Sequence, residues 1–429
     1  MIIWIKNGKL VDPINGVANK QDIIVRDKKI DEILPPDEFR PKDACVKVID
    51  ASGMTVVPGL IDMHVHLREP GYEHKETIFS GSRAGVAGGF TGLACMPNTD
   101  PVNDNASVTS LILDSARKAN LINIYPVASI TKGQKGVTLS DFSELKRAGA
   151  VGVSDDGFPV SDDRIMLKAM KKAKDNGLAI ISHCEDIGIS AGGLMHDGIV
   201  SEKIGLKSIP SVSEENFVKR EISLAADSGC PVHIAHVSTA GSVMMINQAK
   251  KSGIPVTAET APHYFCLDHT AVIDCGSNAK MNPPLRTPED VAAIKQALAD
   301  DVIDVIATDH APHSPAEKAL GFEKAPFGII GLETALPLTL ALVSEGVLSL
   351  PKAIQKLTCS PAFILGIDRG RIIKGGYADL AIIDQNLEYI LKKSDLQSKS
   401  ENSPFIGRLL KGKNILTMFE GRIVWERNT

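Results

Sequence analysis

Residues 57–71 read V-P-G-L-I-D-M-H-V-H-L-R-E-P-G. An apolar run leads into His64, and His66 and Arg68 follow at every second position. Side chains alternate between the two faces of a strand. If the run is a strand, both imidazoles and the guanidinium share one face, and Met63, Val65 and Leu67 take the other. Taken alone, the pattern also fits two half-exposed surface histidines, so the rest of the chain has to decide.

Runs of the same apolar, β-branched kind cover residues 55–66, 90–96, 122–128, 150–154, 179–183, 231–236, 255–260 and 302–308. Such runs suit strands covered on both faces, as in parallel sheets. The segments between them carry helix patterns. Over 161–176, Ser161 can cap the start, Ile165, Ala169 and Ala173 share a face, and Gly177 can end the helix. Eight βα units over roughly 260 residues match a (β/α)8 TIM-like barrel, with a doubly wound open sheet as the alternative. Both chain ends differ from this middle. Residues 2–5, 22–25, 46–49, 378–383 and 422–425 read as short strands broken by turn pairs such as Asn7-Gly8, Pro35-Pro36 and Glu420-Gly421. Neither end has the apolar residues for a core of its own. The expectation is therefore an α/β chain in two parts. Residues 1–54 and 370–429 form one small β-sandwich domain from both termini, and 55–369 form the barrel.

The polar residues at the run ends then matter. The fourth run ends in Ser154-Asp155-Asp156-Gly157, the fifth in Ser182-His183-Cys184-Glu185, the sixth in His233-Ile234-Ala235-His236 and the eighth in Thr308-Asp309-His310. In a barrel of this type all strand C-termini face one rim, where active sites sit. Carboxylates crowded there would repel and, if buried, protonate. A divalent cation resolves that conflict. Nitrogen and oxygen donors without thiolate suit Zn2+, with Mn2+, Co2+ or Fe2+ also compatible. His233 and His310 fall on the opposite strand face to their neighbours and read as packed or supporting groups. His263 reads as packing, His74, His196 and His269 as solvated, and Cys184 as a small buried residue.

Composition narrows the partners. The chain has 429 residues, 43% of them hydrophobic, which is ample for a large core. A net charge of −5 favours neither nucleic acid nor an anionic membrane. Residues 1–7 lack a secretory pattern, and no apolar run approaches the ~20 residues that span a bilayer. Seven dispersed cysteines with no C-x-x-C pair read as reduced thiols in the cytoplasm.

Taken together, D-M-H-V-H-L-R-E-P-G, A-C-M-P-N-T, S-D-D-G-F-P-V, S-H-C-E-D, A-H-V-S-T, M-N-P-P-L-R and T-D-H-A-P-H resemble the dihydroorotases of the amidohydrolase superfamily, closest to their bacterial type I branch. The resemblance covers essentially the whole chain. H-x-H marks only the superfamily, whereas H-L-R-E-P-G with M-P-N-T is far more specific. It implies metal ligands at His64, His66, Asp156, His183, His236 and Asp309, holding one or two zinc ions per chain. It implies substrate contacts at Arg68, Asn98 and His313, with Asn282, Phe327 and Gly328 as further candidates. Many two-metal members carry a carbamylated lysine on strand four. Here that strand offers Asp155 and Asp156 instead, as the type I branch does, and only the family spacing to His183 favours Asp156.

The implied reaction is the reversible closure of N-carbamoyl-L-aspartate to L-dihydroorotate plus water, a step of pyrimidine synthesis. It needs a nucleophile at neutral pH and carbonyl polarisation, which a bound divalent ion supplies. It also needs a proton carrier, for which Asp309 is placed as general base and then general acid. Arg68 can grip the substrate carboxylate bidentately, or else pair with Glu69 or Glu73 at the surface. Asn98 can read an amide or carboxylate edge. The stretch 313–328 reads either as a loop that closes over substrate or as a plain mobile loop. A homodimer and association with aspartate transcarbamoylase are further expectations from the family. The rivals are another cyclic-amide hydrolase (an allantoinase or hydantoinase) and a non-catalytic partner of aspartate transcarbamoylase.

Overall fold

The computed structural model describes residues 2–14, 16–40 and 46–427. Its largest sheet has eight strands, all parallel and in chain order: Leu60–Val65, Phe90–Cys95, Asn123–Ala128, Gly152–Val153, Ala179–Ser182, Val232–Ile234, Val256–Thr260 and Val305–Ile306. The last unit closes on the first through a parallel bridge between Val65 and His310, and the His66 N–H donates to the His310 carbonyl at 2.8 Å. The expected TIM-like barrel is therefore present. Met63, Ala94, Val127, Ile181 and Val305 from five different strands, with Ala235 just past a sixth, form one buried cluster. Only the inside of a closed barrel brings them together. Every residue of Leu60–Val65 and of Phe90–Cys95 is buried, because side chains fill the lumen and helices cover the outside.

Two details of the opening stretch differ from simple alternation. The expected strand over 55–66 is two strands. Thr55–Pro58 pairs with Leu380–Ile390 and Lys9–Asp12 outside the barrel. Gly59 makes the break, pressed so closely on Thr91 that no Cβ would fit. The pairing with Phe90–Cys95 also slips between Asp62 and Val65. That irregularity puts Met63 with the lumen cluster, whereas Val65 and Leu67 pack among the surrounding helices.

Both termini join in a small two-sheet unit. One sheet has the order Lys29–Leu34, Asp22–Arg26, Ile2–Lys6, Val46–Asp50. The other runs Arg422–Glu426, Leu409–Phe419, Leu380–Ile390, Thr55–Pro58, Lys9–Asp12, Val17–Lys20. Ile3, Ile5 and Ile23 from the first sheet share a buried cluster with Leu10, Val56, Leu380 and Met418 from the second, which is the packing of a β-sandwich. Leu409–Phe419 was not anticipated, because Lys411, Gly412, Lys413 and Asn414 interrupt its apolar pattern.

The helix expected over 161–176 is Asp163–Asn176. Its cap is Asp162 rather than Ser161. The Asp162 carboxylate accepts from the Arg164 and Ile165 N–H groups, while Ser161 Oγ faces the Pro159 carbonyl. Gly177 ends the helix in the left-handed conformation, and Met166, Ala169, Met170 and Ala173 form the buried face. Between the fifth and sixth barrel strands the chain makes an excursion with a small parallel pair, Met195–His196 and Ser208–Ile209. His196 is buried there beside Arg286 and His269, not solvated as expected. Among the described residues no helix is long and apolar enough to cross a membrane.

Candidate metal centre and substrate cavity

A cavity of about 180 Å3 opens at the C-terminal rim of the barrel. It lies below the ~300 Å3 at which drug-sized ligand pockets begin, so it suits a small, polar ligand. It is lined by His66, Arg68, Asn98, Asp156, His183, His236, Asn282, Asp309, His313, Phe327 and Gly328. His64 completes the residues expected from the sequence and lies fully buried beneath them. A larger cavity of about 310 Å3, between Glu333, Tyr389, Lys413 and Trp425, lies away from this cluster of ligating groups.

The donor atoms of His64, His66 and Asp156 lie within 4.8 Å of one another, and so do those of Asp156, His183 and His236. Asp156 belongs to both triads. Its Oδ1 is 3.5 Å from His64 Nε2 and 3.6 Å from both His183 Nδ1 and His236 Nε2, and its Oδ2 is 3.6 Å from His66 Nε2. Asp309 Oδ1 approaches His66 Nε2 at 3.1 Å and His64 Nε2 at 3.8 Å. Asp155 points elsewhere. Its carboxylate accepts from the Thr131 N–H and hydroxyl, so Asp156 alone of the pair faces the histidines.

This donor set fits a divalent cation. His64 Nε2, which faces Asp156 and Asp309, is buried without a hydrogen-bond partner, an arrangement that costs free energy unless something binds it. The donors are nitrogen and oxygen only. Burial resists charge on His64, but Glu259 and Asp156 outweigh it and raise its pKa well above the usual value. Burial likewise opposes ionisation of Asp156 and Asp309, and the neighbouring histidines overcome it and hold both below the ordinary carboxylate range. The pocket thus stabilises negative charge on the carboxylates that would face a cation.

Behind the ligand set lie groups that the sequence reading missed. Glu259, buried in the seventh strand, places Oε1 at 2.6 Å from His64 Nδ1 and Oε2 at 3.2 Å from His233 Nε2. The signal was a glutamate inside a strand otherwise built of Val, Thr and Ala. Glu185 Oε2 sits 3.0 Å from His183 Nε2 and accepts from Asn282 Nδ2 at 2.9 Å. Asn98, expected from the sequence as a substrate contact, bridges the two triads: its Oδ1 is 2.8 Å from His66 Nδ1, and its Nδ2 donates to Asp156 Oδ2 at 3.2 Å.

Arg68 reaches the cavity from beyond the strand end, with a left-handed φ of 64°. His236 (φ 35°) and Asp309 (φ 49°) adopt the same uncommon region. Such conformations cost of order 1–3 kcal/mol and persist where the surroundings over-determine them, which is typical of functional sites. Arg68 Nε donates to the Pro312 carbonyl at 3.2 Å. Burial lowers its pKa to about 10, against the pull of Asp309 and Asp156, so it stays cationic at neutral pH. His313 sends Nε2–H to the Phe327 carbonyl at 2.8 Å, with Lys75 Nζ 3.4 Å from its Nδ1. Burial, with Arg68 and Lys75 nearby, pushes His313 down to about 2, which keeps it neutral.

A parallel barrel with this rim of histidines and aspartates, joined to a terminal β-sandwich, is the architecture of the metal-dependent amidohydrolases. The structure superposes on the L-hydantoinase (dihydropyrimidinase) of Arthrobacter aurescens with a TM-score of 0.89, at 26% identity, covering 100% of this chain and 96% of that one. The Dihydro-orotase-like family model matches residues 53–242. The dihydroorotase of Geobacter metallireducens is 49% identical over 427 residues, with 100% of both chains covered. That of Geobacter sulfurreducens is 50% identical over 427 residues at the same coverage. The chain belongs to the dihydroorotase family.

Proposed function

We propose that this chain catalyses the reversible cyclisation of N-carbamoyl-L-aspartate to L-dihydroorotate and water, in pyrimidine synthesis. The observation that carries the reading is Arg68. A half-buried, charged guanidinium lines the same small cavity as the metal triads, where a substrate carboxylate would need a cationic partner.

We infer zinc as the metal, on the nitrogen and oxygen donors, held by His64, His66, Asp156, His183, His236 and Asp309. Two triads with Asp156 in common favour two ions over one. When bound, such an ion supplies a nucleophile at neutral pH and Lewis-acid polarisation of the carbonyl. In ring opening, an Asp309 carboxylate oxygen takes the proton of the attacking water as the new C–O bond forms. It delivers that proton to the ring nitrogen as the C–N bond breaks. Cyclisation is the same path reversed. Arg68 binds the carboxylate and orients the ring, while Asn98, Asn282 and the 327–328 backbone line the opposite walls. His313, neutral and tied to Phe327, holds that wall.

The chain divides, in this reading, into a barrel and a composite terminal domain of 1–54 and 370–429, with Thr55–Pro58 as the strand that joins them. From the resemblance we also infer a cytoplasmic homodimer able to associate with aspartate transcarbamoylase. The free thiols of Cys95, Cys184, Cys230, Cys266, Cys275 and Cys359 support a reducing compartment.

The test is side-by-side turnover of dihydroorotate, allantoin and hydantoin by the metal-loaded protein. Preference for dihydroorotate is expected. Preference for either other ring would transfer the reading to the hydantoinase-like hydrolases, and turnover of none would reject it.

A further inference from the structure

Two lysines are buried beside the cavity with main-chain carbonyls as their hydrogen-bond partners. Lys280 is 2% exposed, and its Nζ donates to the carbonyls of Phe322 at 2.7 Å, Glu323 at 3.1 Å and Ala325 at 2.7 Å. Lys318 is 6% exposed and donates to the carbonyls of Pro326 at 3.0 Å and Gly328 at 2.9 Å. Buried ammonium groups are costly, and they persist only where hydrogen bonds replace their hydration. Here the replacement is one continuous stretch of backbone.

That stretch, 321–328, contains no helix or named strand. Its own N–H groups are little used within the loop: Ala325 donates to the Gly321 carbonyl at 2.8 Å, and Gly328 donates across to the Lys280 carbonyl at 2.9 Å. A segment so poor in internal bonds would ordinarily be mobile. The two lysines donate to carbonyls that accept no bond within the stretch, and Asn402 Nδ2 adds a further donor to the Gly328 carbonyl at 3.0 Å. Lys280 Nζ also lies 4.7 Å from the centre of the Phe327 ring, within cation–π range. The far end of the stretch forms a cavity wall, since Phe327 and Gly328 line it and the Phe327 carbonyl fixes His313.

We propose that Lys280 and Lys318 are positioning residues for the reaction assigned above. Their buried amino groups latch 321–328 into a fixed wall of the substrate cavity, so that His313 and the 327–328 backbone are in place before substrate arrives. The stretch is then a preorganised wall and not a lid. The role rests on the proposed function only for its link to substrate; the latch itself does not.

The experiment is Lys280→Met in the full-length, metal-loaded protein. Hydrogen exchange of the 320–328 amides, bound metal per chain, and KM and kcat for dihydroorotate are measured together. Losing a charge-assisted hydrogen bond corresponds to about tenfold or more. Exchange in 320–328 should therefore quicken by at least about that factor and KM rise similarly, with metal content unchanged and kcat falling less than about threefold. Unchanged exchange overturns the latch. Faster exchange with unchanged KM overturns the positioning role. A parallel loss of kcat and metal would reduce Lys280 to a general structural residue and equally overturn it. If K280M does not fold, K318M, which removes only two carbonyl contacts, carries the same measurements and thresholds. A mobilised loop in a protein whose wild type ignores dihydroorotate would instead condemn the functional reading and leave the latch standing.

Discussion

The Nδ1 of His64 lies 2.6 Å from Oε1 of Glu259, deep in the barrel where both side chains are 1% exposed. The second oxygen of the same carboxylate holds His233 Nε2, and His233 Nδ1 in turn meets the Thr257 hydroxyl at 2.8 Å. A carboxylate on one ring nitrogen fixes the tautomer and leaves the other, His64 Nε2, free to face a cation.

Glu259→Gln keeps the shape and removes the charge. Metal affinity should fall by about 10–100-fold, the usual effect of losing such a supporting carboxylate. Chelator competition on the purified variant measures it. Wild-type affinity would show that His64 is oriented without Glu259.

Asp309→Ala should abolish the proton transfer while leaving the barrel folded. A loss of about 10²–10⁴ in kcat is expected for a positioned acid–base group. Circular dichroism and bound metal, measured alongside, separate that loss from unfolding. Turnover near the wild-type rate would remove Asp309 from the assigned role.

Arg68→Ala should cost about 2–5 kcal/mol in kcat/KM for dihydroorotate, the range for truncating one partner of a buried charge pair. The decarboxylated analogue of dihydroorotate has no such partner to lose. Its kcat/KM should change little, so the ratio between the two substrates collapses. A preserved ratio would mean that the carboxylate is read elsewhere.

A buried polar network lies just past His236. The buried carboxylate of Glu214 accepts from the Ser238 N–H at 3.0 Å and the Thr239 N–H at 3.2 Å, and faces Arg286 Nη2 at 3.4 Å. Glu214→Ala would leave Arg286 buried and unpaired, so a loss of about 3–5 kcal/mol is expected in urea unfolding. A loss under about 1 kcal/mol would show that water or a neighbour replaces it.

The barrel and its rim were legible because strand C-termini share one end. Five apolar runs, the first, fourth, fifth, sixth and eighth, ended in the polar groups that the fold then gathered, so His64, His183, His236 and Asp309 needed no knowledge of loop geometry. Alternation was less faithful at the rim itself. The slip between Asp62 and Val65 and the left-handed backbone at Arg68, His236 and Asp309 are properties of tertiary packing. Lys280 and Lys318 were invisible for a related reason, whereas Glu259 stood out only as a glutamate within a strand. The partners of both lysines are main-chain carbonyls, which leave no mark on the sequence, and a lone lysine reads as solvated until those carbonyls are seen. Ser161 lost the cap to Asp162 by one position, a shift that the two candidate side chains could not resolve by themselves. Leu409–Phe419 was masked by the polar side chains of its own middle.

The central claim is that chemistry-bearing residues from both ends of the barrel sequence converge on a divalent cation. Anomalous X-ray diffraction from crystals of the zinc-loaded protein, recorded above and below the zinc edge, tests it most directly. A strong anomalous peak is expected within bonding distance of Asp156 and of nitrogens from His64, His66, His183 and His236. A fully loaded protein whose zinc lay elsewhere, with those side chains uncoordinated, would contradict it.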